Sequence, residues 1–284
     1  MVRPSNVIRY ARFAQLTPPG QPAQADTRRG AKRTMNDLLE LAGKVALITG
    51  GSRGIGAAAA RRLARAGADI AVTYQQAADH AAAVVSDALG TGVQAGMFQA
   101  NQASPSEVAS MVDDVAQRFG HIDILVNNAG VFVAGAIGSL SSEQRAYQWA
   151  VNVQGAVVAT QQALSHMPDG GRIINVSSAA AERASSGGFA DYSATKAALM
   201  AYGRSWAHEL APRNITSNNV IVGFVQTDMV IPADSDMGKM ALGLLPLQRY
   251  ADADEVGSVI AFLAGQSASY MTGGDVRVDG GWNA

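Results

Sequence analysis

Val45-Ala46-Leu47-Ile48-Thr49-Gly50-Gly51-Ser52-Arg53-Gly54-Ile55-Gly56, running directly into Ala57-Ala58-Ala59-Ala60, is the stretch that decides the fold. A short apolar, β-branched run reads as a buried strand, the glycines as a tight turn, and the alanine-rich continuation as a helix. Glycines between a strand and a helix let a phosphate group approach the backbone and sit against free N–H groups at the positive helix end. This placement, rather than the glycines alone, points to a dinucleotide site.

Outward from this loop the same alternation repeats. Apolar runs at Asp69–Thr73, Val93–Gln99, Ile122–Asn127, Arg172–Val176, Thr216–Val222 and Asp275–Val278 read as further strands. Helical segments fill the intervals, near Ile55–Ala66, Ala77–Leu89, Pro105–Phe119, Ser142–His166, Tyr192–Leu210 and Ala253–Leu263. Strands alternating with helices imply α/β architecture: one doubly wound Rossmann-fold domain with a mostly parallel, seven-stranded sheet and helices on both faces. The domain is expected over residues 41–284, with a substrate lid at about 227–250, where methionines and aromatics accumulate.

Residues 1–40 differ in composition. Seven arginines and lysines between Arg3 and Arg33 face one acid, Asp26, around the turn-rich Thr17-Pro18-Pro19-Gly20. This reads as a disordered extension or as sequence upstream of a start at Met35, with organelle import as the alternative. The expected location is the cytoplasm.

Composition excludes several classes of function. The chain has no cysteine, and so no disulfide framework, thiol nucleophile or zinc-thiolate site. Its net charge of −1 supplies no basic field for nucleic acid or an anionic membrane. No apolar run has the length of a membrane span. His80, His121, His166 and His208 are scattered without ligand spacing, so no metal is expected. Small-molecule chemistry carried by a bound cofactor is what these numbers leave open.

Tyr192-Ser193-Ala194-Thr195-Lys196 places a phenol and an amine four positions apart, on one face of a helix. A tyrosine is a weak acid near neutrality, and an adjacent ammonium favours its phenolate. At the end of the second candidate strand, where an NAD enzyme offers a carboxylate to the ribose, this chain has Tyr74. Arg53 in the glycine loop can fork onto a phosphate. Together they favour NADP(H), with NAD(H) as the alternative.

The loop Thr49 to Gly56, Asn127-Asn128-Ala129-Gly130, Ser177-Ser178 and Tyr192 to Lys196 follow one another in the order of the short-chain dehydrogenase/reductase motifs. From Leu41 to Ala284 the chain resembles that family, and in particular its 3-oxoacyl-acyl-carrier-protein reductase branch. The resemblance implies hydride transfer between a nicotinamide and a carbonyl or alcohol. Tyr192 would be the acid/base, Lys196 its partner and a ribose ligand, and Asn152 the anchor of a proton-carrying water. Ser178 would bond the substrate oxygen. It lies one residue further from Tyr192 than the usual family offset, a difference that a one-residue bulge in Ala179–Asp191 would absorb, and Ser177 stays open as the alternative.

Gly50, Ser52, Arg53, Gly54, Ile55, Gly56, Tyr74, Asn101, Asn128, Ala129, Gly130, Tyr192, Lys196 and Thr227 form the implied cofactor set. Asn101 stands where relatives carry an adenine-contacting aspartate, and Val222 to Thr227 resembles P-G-x-x-x-T without its proline. The family also implies a homotetramer through the helices around Ser142–His166 and Tyr192–Leu210. Met167-Pro168-Asp169-Gly170-Gly171 and the long serine-to-tyrosine offset are similar to a cyclic-di-GMP-binding regulatory member, which is the rival to catalysis. The complete Ser178, Tyr192 and Lys196 set favours turnover.

Overall fold

The computed structural model describes residues 40–183, 187–228, 230 and 232–284, so nearly all of the basic extension lies outside the described residues. Seven strands form one sheet: β1 (Val45–Ile48), β2 (Asp69–Tyr74), β3 (Ala95–Gln99), β4 (Ile124–Asn127), β5 (Arg172–Ser178), β6 (Thr216–Val222) and β7 (Asp275–Val278). Their order is β3-β2-β1-β4-β5-β6-β7. Every pairing is parallel, where the sequence suggested mostly parallel. β1, β4, β5 and β6 are buried along their whole lengths, as strands covered on both faces must be.

Eight helices accompany the sheet: α1 (Gly54–Arg65), α2 (Ala78–Leu89), α3 (Pro105–Phe119), α4 (Ser142–Trp149), α5 (Gly155–Ala163), α6 (Ala190–Leu210), α7 (Asp236–Gly243) and α8 (Ala253–Ala264). One core lies between the sheet and α1, α2 and α8, and a second beneath α3, α5 and the end of α6. The alanine run of α1 serves close packing: a Cβ added at Gly257 of α8 would stand 2.9 Å from the Ala58 carbonyl carbon.

The single helix expected over Ser142–His166 is two helices joined by a π-turn at Ala150–Gln154. Asn152 sits in this turn, and its side chain is drawn out of helical register by bonds to neighbouring elements. Within the segment expected to form a lid, Ser235 caps α7 by accepting a hydrogen bond from the Gly238 N–H at 3.0 Å.

The far half of the sheet holds a ladder of buried amides. Asn127, Asn175, Asn219 and Asp275 are paired across β4, β5, β6 and β7 in direct register. Asn127 Nδ2 donates to Asn175 Oδ1 at 3.0 Å, Asn175 Nδ2 to Asn219 Oδ1 at 3.1 Å, and Asn219 Nδ2 to Asp275 Oδ1 at 2.7 Å. Asn219 also donates to the Met200 carbonyl of α6, and Arg204 of α6 pairs with Asp275. These bonds fasten α6 to the sheet while leaving few of the ladder's polar atoms unpaired.

Candidate active site

A cleft of about 300 Å³ opens above the carboxyl ends of the strands, where ligands bind in open parallel sheets. Its floor begins at the glycine loop. Gly50 and Gly54 adopt φ of +63° and +55°, a region that favours glycine. The Gly50 and Gly51 N–H groups donate to Thr73 Oγ1 and the Thr73 carbonyl, at 3.0 and 2.9 Å. Asn128 Nδ2 reaches the Thr49 and Gly50 carbonyls at 2.9 and 3.0 Å, and Thr49 Oγ1 accepts the N–H groups of Asn128 and Ala129. Gly56 does not border the cleft. It lies so close beneath Asn128 that an added Cβ would stand 2.5 Å from Nδ2.

Whether a pyrophosphate fits here is decided by the start of α1. Its N-cap, Arg53, makes no side-chain cap, and the first turn carries no acid. The capping residue thus offers the helix-end N–H groups no acceptor, and Ser52, Arg53, Gly54 and Ile55 border the cleft. Tyr74 and Gln75 line the neighbouring wall without a carboxylate. Arg53 Nη1 stands 3.4 Å from Asp228 Oδ2, both groups largely in solvent. Such a pair is weak and leaves the guanidinium free to turn inward. The residues fit a dinucleotide carrying an additional phosphate.

At the inner end, α6 presents Tyr192 in its first turn and Lys196 one turn later, and both border the cleft. Ser178 ends β5; its hydroxyl accepts the Ala180 N–H at 3.2 Å and bonds the Tyr192 side chain. A short helical turn, Ala179–Ala181, follows it, and residues 184–186 of the segment expected to absorb the long offset lie outside the described residues. Ser177, and not Ser178, is among the residues that border the cleft, but its hydroxyl donates to the Lys196 carbonyl at 3.0 Å and so fastens helix to strand.

Burial pushes Lys196 down from 10.5 to about 8, and its Nζ donates to the Val176 carbonyl at 3.0 Å. Burial also pushes Tyr192 up, against the opposing effect of the Ser178 hydrogen bond. The ammonium expected to favour the phenolate lies 6.0 Å from the ring centroid and is itself held by a backbone carbonyl.

Asn101 and Asn152, like Gly56, are not among the residues that border the cleft. Asn101 Oδ1 closes a turn on the Ala103 N–H at 3.0 Å; Ala100 and Gln102 stand at the cleft instead. The Asn152 side chain accepts the Val131 N–H at 2.8 Å and donates to the Val131 carbonyl and Thr195 Oγ1 at 2.9 and 3.0 Å. It pins the loop after Gly130. Ala129, Gly130 and Thr227 border the cleft as expected. Thr73, Gln102, Val176, Val222 and Asp228 also line it and were not anticipated. The rule that ligands collect at strand carboxyl ends would have flagged Thr73, Val176 and Val222.

A sheet of this order, a helix end open to phosphate and a paired tyrosine and lysine define the class: an oxidoreductase built on a nucleotide-binding Rossmann fold. The family model described as enoyl-(acyl carrier protein) reductase matches residues 50–283. An uncharacterized oxidoreductase of Methylorubrum extorquens is 39% identical over 247 residues, covering 86% of this chain and 99% of that protein. A 3-oxoacyl-[acyl-carrier-protein] reductase of Staphylococcus epidermidis is 36% identical over 240 residues, covering 84% and 98%. The crystal structure of a short chain dehydrogenase from Burkholderia cenocepacia in complex with NADP superposes with a TM-score of 0.84 at 43% identity, covering 86% of this chain and all of that one. The chain belongs to the short-chain dehydrogenase/reductase family.

Proposed function

We propose that the protein is an NADP(H)-dependent oxidoreductase that interconverts a carbonyl and an alcohol, in the manner of the 3-oxoacyl reductases it resembles. The observation that carries this reading is the placement of Tyr192 and buried Lys196 one helical turn apart at the inner end of a cleft whose outer end is a helix with no side-chain cap from its N-cap residue. The NADP bound by the Burkholderia relative supports the choice of cofactor, as do Tyr74 in place of an acid and the unburied guanidinium of Arg53.

When bound, the reduced nicotinamide supplies the hydride. Tyr192 Oη donates the proton that the carbonyl oxygen acquires, and Ser178 Oγ orients that oxygen by a second hydrogen bond. Lys196, with a proton affinity near neutrality, holds a proton behind Tyr192 and offers N–H donors to the ribose. Asn152 acts as a positioning residue: by clamping both backbone groups of Val131 it fixes the wall opposite Tyr192. Arg53, Ser52 and the N–H groups of Gly54 and Ile55 hold phosphates, and Thr227 closes the pocket from the lid.

Exposed Trp149 on α4 and Tyr202 on α6 support burial of these helices in a homotetramer. Among the described residues no helix is long and apolar enough to cross a membrane. The cytoplasm, with its free pool of nicotinamide dinucleotides, is the proposed place of action.

The test is the loss of absorbance of NADPH, and separately of NADH, with purified protein and a panel of ketones, quinones and 3-oxoacyl thioesters. Oxidation of NADPH in preference to NADH is expected, falling on the order of 10²–10⁴-fold in Tyr192→Phe while NADPH still binds. Absence of binding by either cofactor would refute the reading.

A further inference from the structure

Just outside the cleft, on the Tyr192 side, two phenylalanines meet the proposed acid. The Phe132 ring stands edge-on to the Tyr192 ring with centroids 4.9 Å apart, and Phe189 lies 5.1 Å from Phe132. Phe132 nevertheless keeps 38% of its surface exposed. An aromatic face left open beside a reacting hydroxyl has burial energy still to gain from whatever docks there.

The position of Phe132 is built rather than incidental. Val131 before it is held through both backbone groups by Asn152, and the Val133 N–H after it donates to Oε1 of fully buried Gln148 at 2.7 Å. The segment that carries Phe189 is tied to the same loop, the Gly135 N–H donating to the Gly188 carbonyl at 2.9 Å. Two backbone segments are therefore joined so that both rings face the Tyr192 end of the site. A binding surface fixed in this way loses little entropy when it is covered.

Charge narrows the ligand further. Among the described residues bordering the cleft, the charged side chains are Arg53, Asp228 and Lys196. Arg53 and Asp228 face each other at the phosphate end, and Lys196 is bound to the Val176 carbonyl. Around the inner end stand Val131, Val151, Val176 and Val222. No cation there awaits a carboxylate or phosphate on the substrate, and burying such a group unpaired would be costly.

We propose that Phe132 and Phe189 form a selectivity wall for neutral carbonyl compounds that carry a flat aromatic ring on the carbonyl carbon. This rests on the carbonyl-reductase reading above and narrows its substrate. A carbonyl oxygen on Tyr192 Oη brings a ring one bond away to the side of the site where Phe132 already pairs with the Tyr192 ring at 4.9 Å. A saturated ring of the same size fills the space without the ring–ring attraction.

The experiment compares kcat/KM for acetophenone and for cyclohexyl methyl ketone with NADPH, in the native chain and in Phe132→Leu and Phe189→Leu. The ratio of the two ketones, compared between proteins, cancels their different intrinsic reactivity. Leucine retains apolar bulk, and NADPH binding reports that each variant is folded. The aryl-to-cyclohexyl ratio is expected to fall about three- to tenfold in Phe132→Leu and by a smaller factor in Phe189→Leu. A ratio that moves less than about twofold in both variants, set against that range, overturns the proposal. So does a native enzyme that reduces 3-oxoacyl thioesters while leaving both ketones untouched. A native chain that binds NADPH and reduces no carbonyl at all overturns the reductase reading, and this proposal with it.

Discussion

Replacing Lys196 with methionine removes a buried ammonium, and the depth of that burial sets the consequence for stability. Lys196 is 5% exposed, and burial brings it from 10.5 to about 8. At about 1.4 kcal/mol per pH unit, that gap is a penalty of about 3 kcal/mol on the charged folded state. Below about pH 8 the folded and unfolded chains both carry the proton, and the folded one bears the full penalty. Between about 8 and 10.5 the folded chain has released the proton while the unfolded chain keeps it, so the lysine's contribution to stability rises with pH across this window. Methionine has no such dependence. At pH 7 the variant gains about 3 kcal/mol and loses the charged hydrogen bond to the Val176 carbonyl, worth about 1.5–3 kcal/mol, for a net gain of about 0–2 kcal/mol. Lys196→Met is therefore expected to cost activity while leaving the fold as stable as before or more so. Melting temperatures of both chains, taken without cofactor at fixed concentration from pH 7 to 10.5, test this. With about 2–4 °C per kcal/mol for a chain of this size, the variant's advantage should fall by about 6–12 °C over that range. A difference that stays constant with pH would refute the reasoning, because the ammonium would then carry no burial penalty.

Arg53→Ala is expected to weaken NADPH binding about tenfold and leave NADH binding within about twofold, as read by fluorescence titration, since a guanidinium on the extra phosphate is a charge-assisted contact. Its melting temperature should not change measurably, because the Asp228 pair is exposed at both ends. Asn219→Ala breaks the amide ladder, stranding Asn175 Nδ2 and Asp275 Oδ1, and is expected to destabilise by about 2–4 kcal/mol in thermal melts. Gly203→Ala should cost about 1–3 kcal/mol, because its Cβ would overlap Asn219 Oδ1 and stand 2.7 Å from Asn175 Nδ2; combined with Asn219→Ala, it should cost less than the sum of the two.

What could be read from the sequence was local. The glycine loop is legible because Gly50 and Gly54 adopt a backbone conformation that few other residues take, and the strand before it and helix after it follow from periodicity. Tyr192 and Lys196 are legible because four positions on a helix is one face. The choice between Ser177 and Ser178 was not legible: the Ser177 hydroxyl is taken up by the Lys196 carbonyl and the Ser178 hydroxyl accepts the Ala180 N–H, and neither bond is visible before the strand and helix are placed. Asn101 reads as a cofactor contact, yet its Oδ1 closes a turn: an asparagine before a turn bonds its own backbone as readily as a ligand, and nothing local distinguishes the two. The π-turn was hidden because each residue around Asn152 reads as helical. What interrupts the helix is a set of bonds to Val131 and Thr195, distant in the chain.

The amide ladder marks where local reading fails for a physical reason. Asn218 and Asn219 look like the solvated part of a strand, yet both are buried: Asn219 bonds Asn175 and Asp275 at matching register, and Asn218 bonds the Met271 carbonyl and the Gly274 N–H. Gly203, in mid-helix, looks like a residue that costs its helix about 1 kcal/mol relative to alanine. Its absent side chain is what lets Asn219 and Asn175 meet beneath α6. The cost at one position and the buried polarity at two others are a single arrangement, which holds the helix bearing Tyr192 and Lys196 against the strand bearing Ser178. None of its members can be understood until the sheet has brought them together.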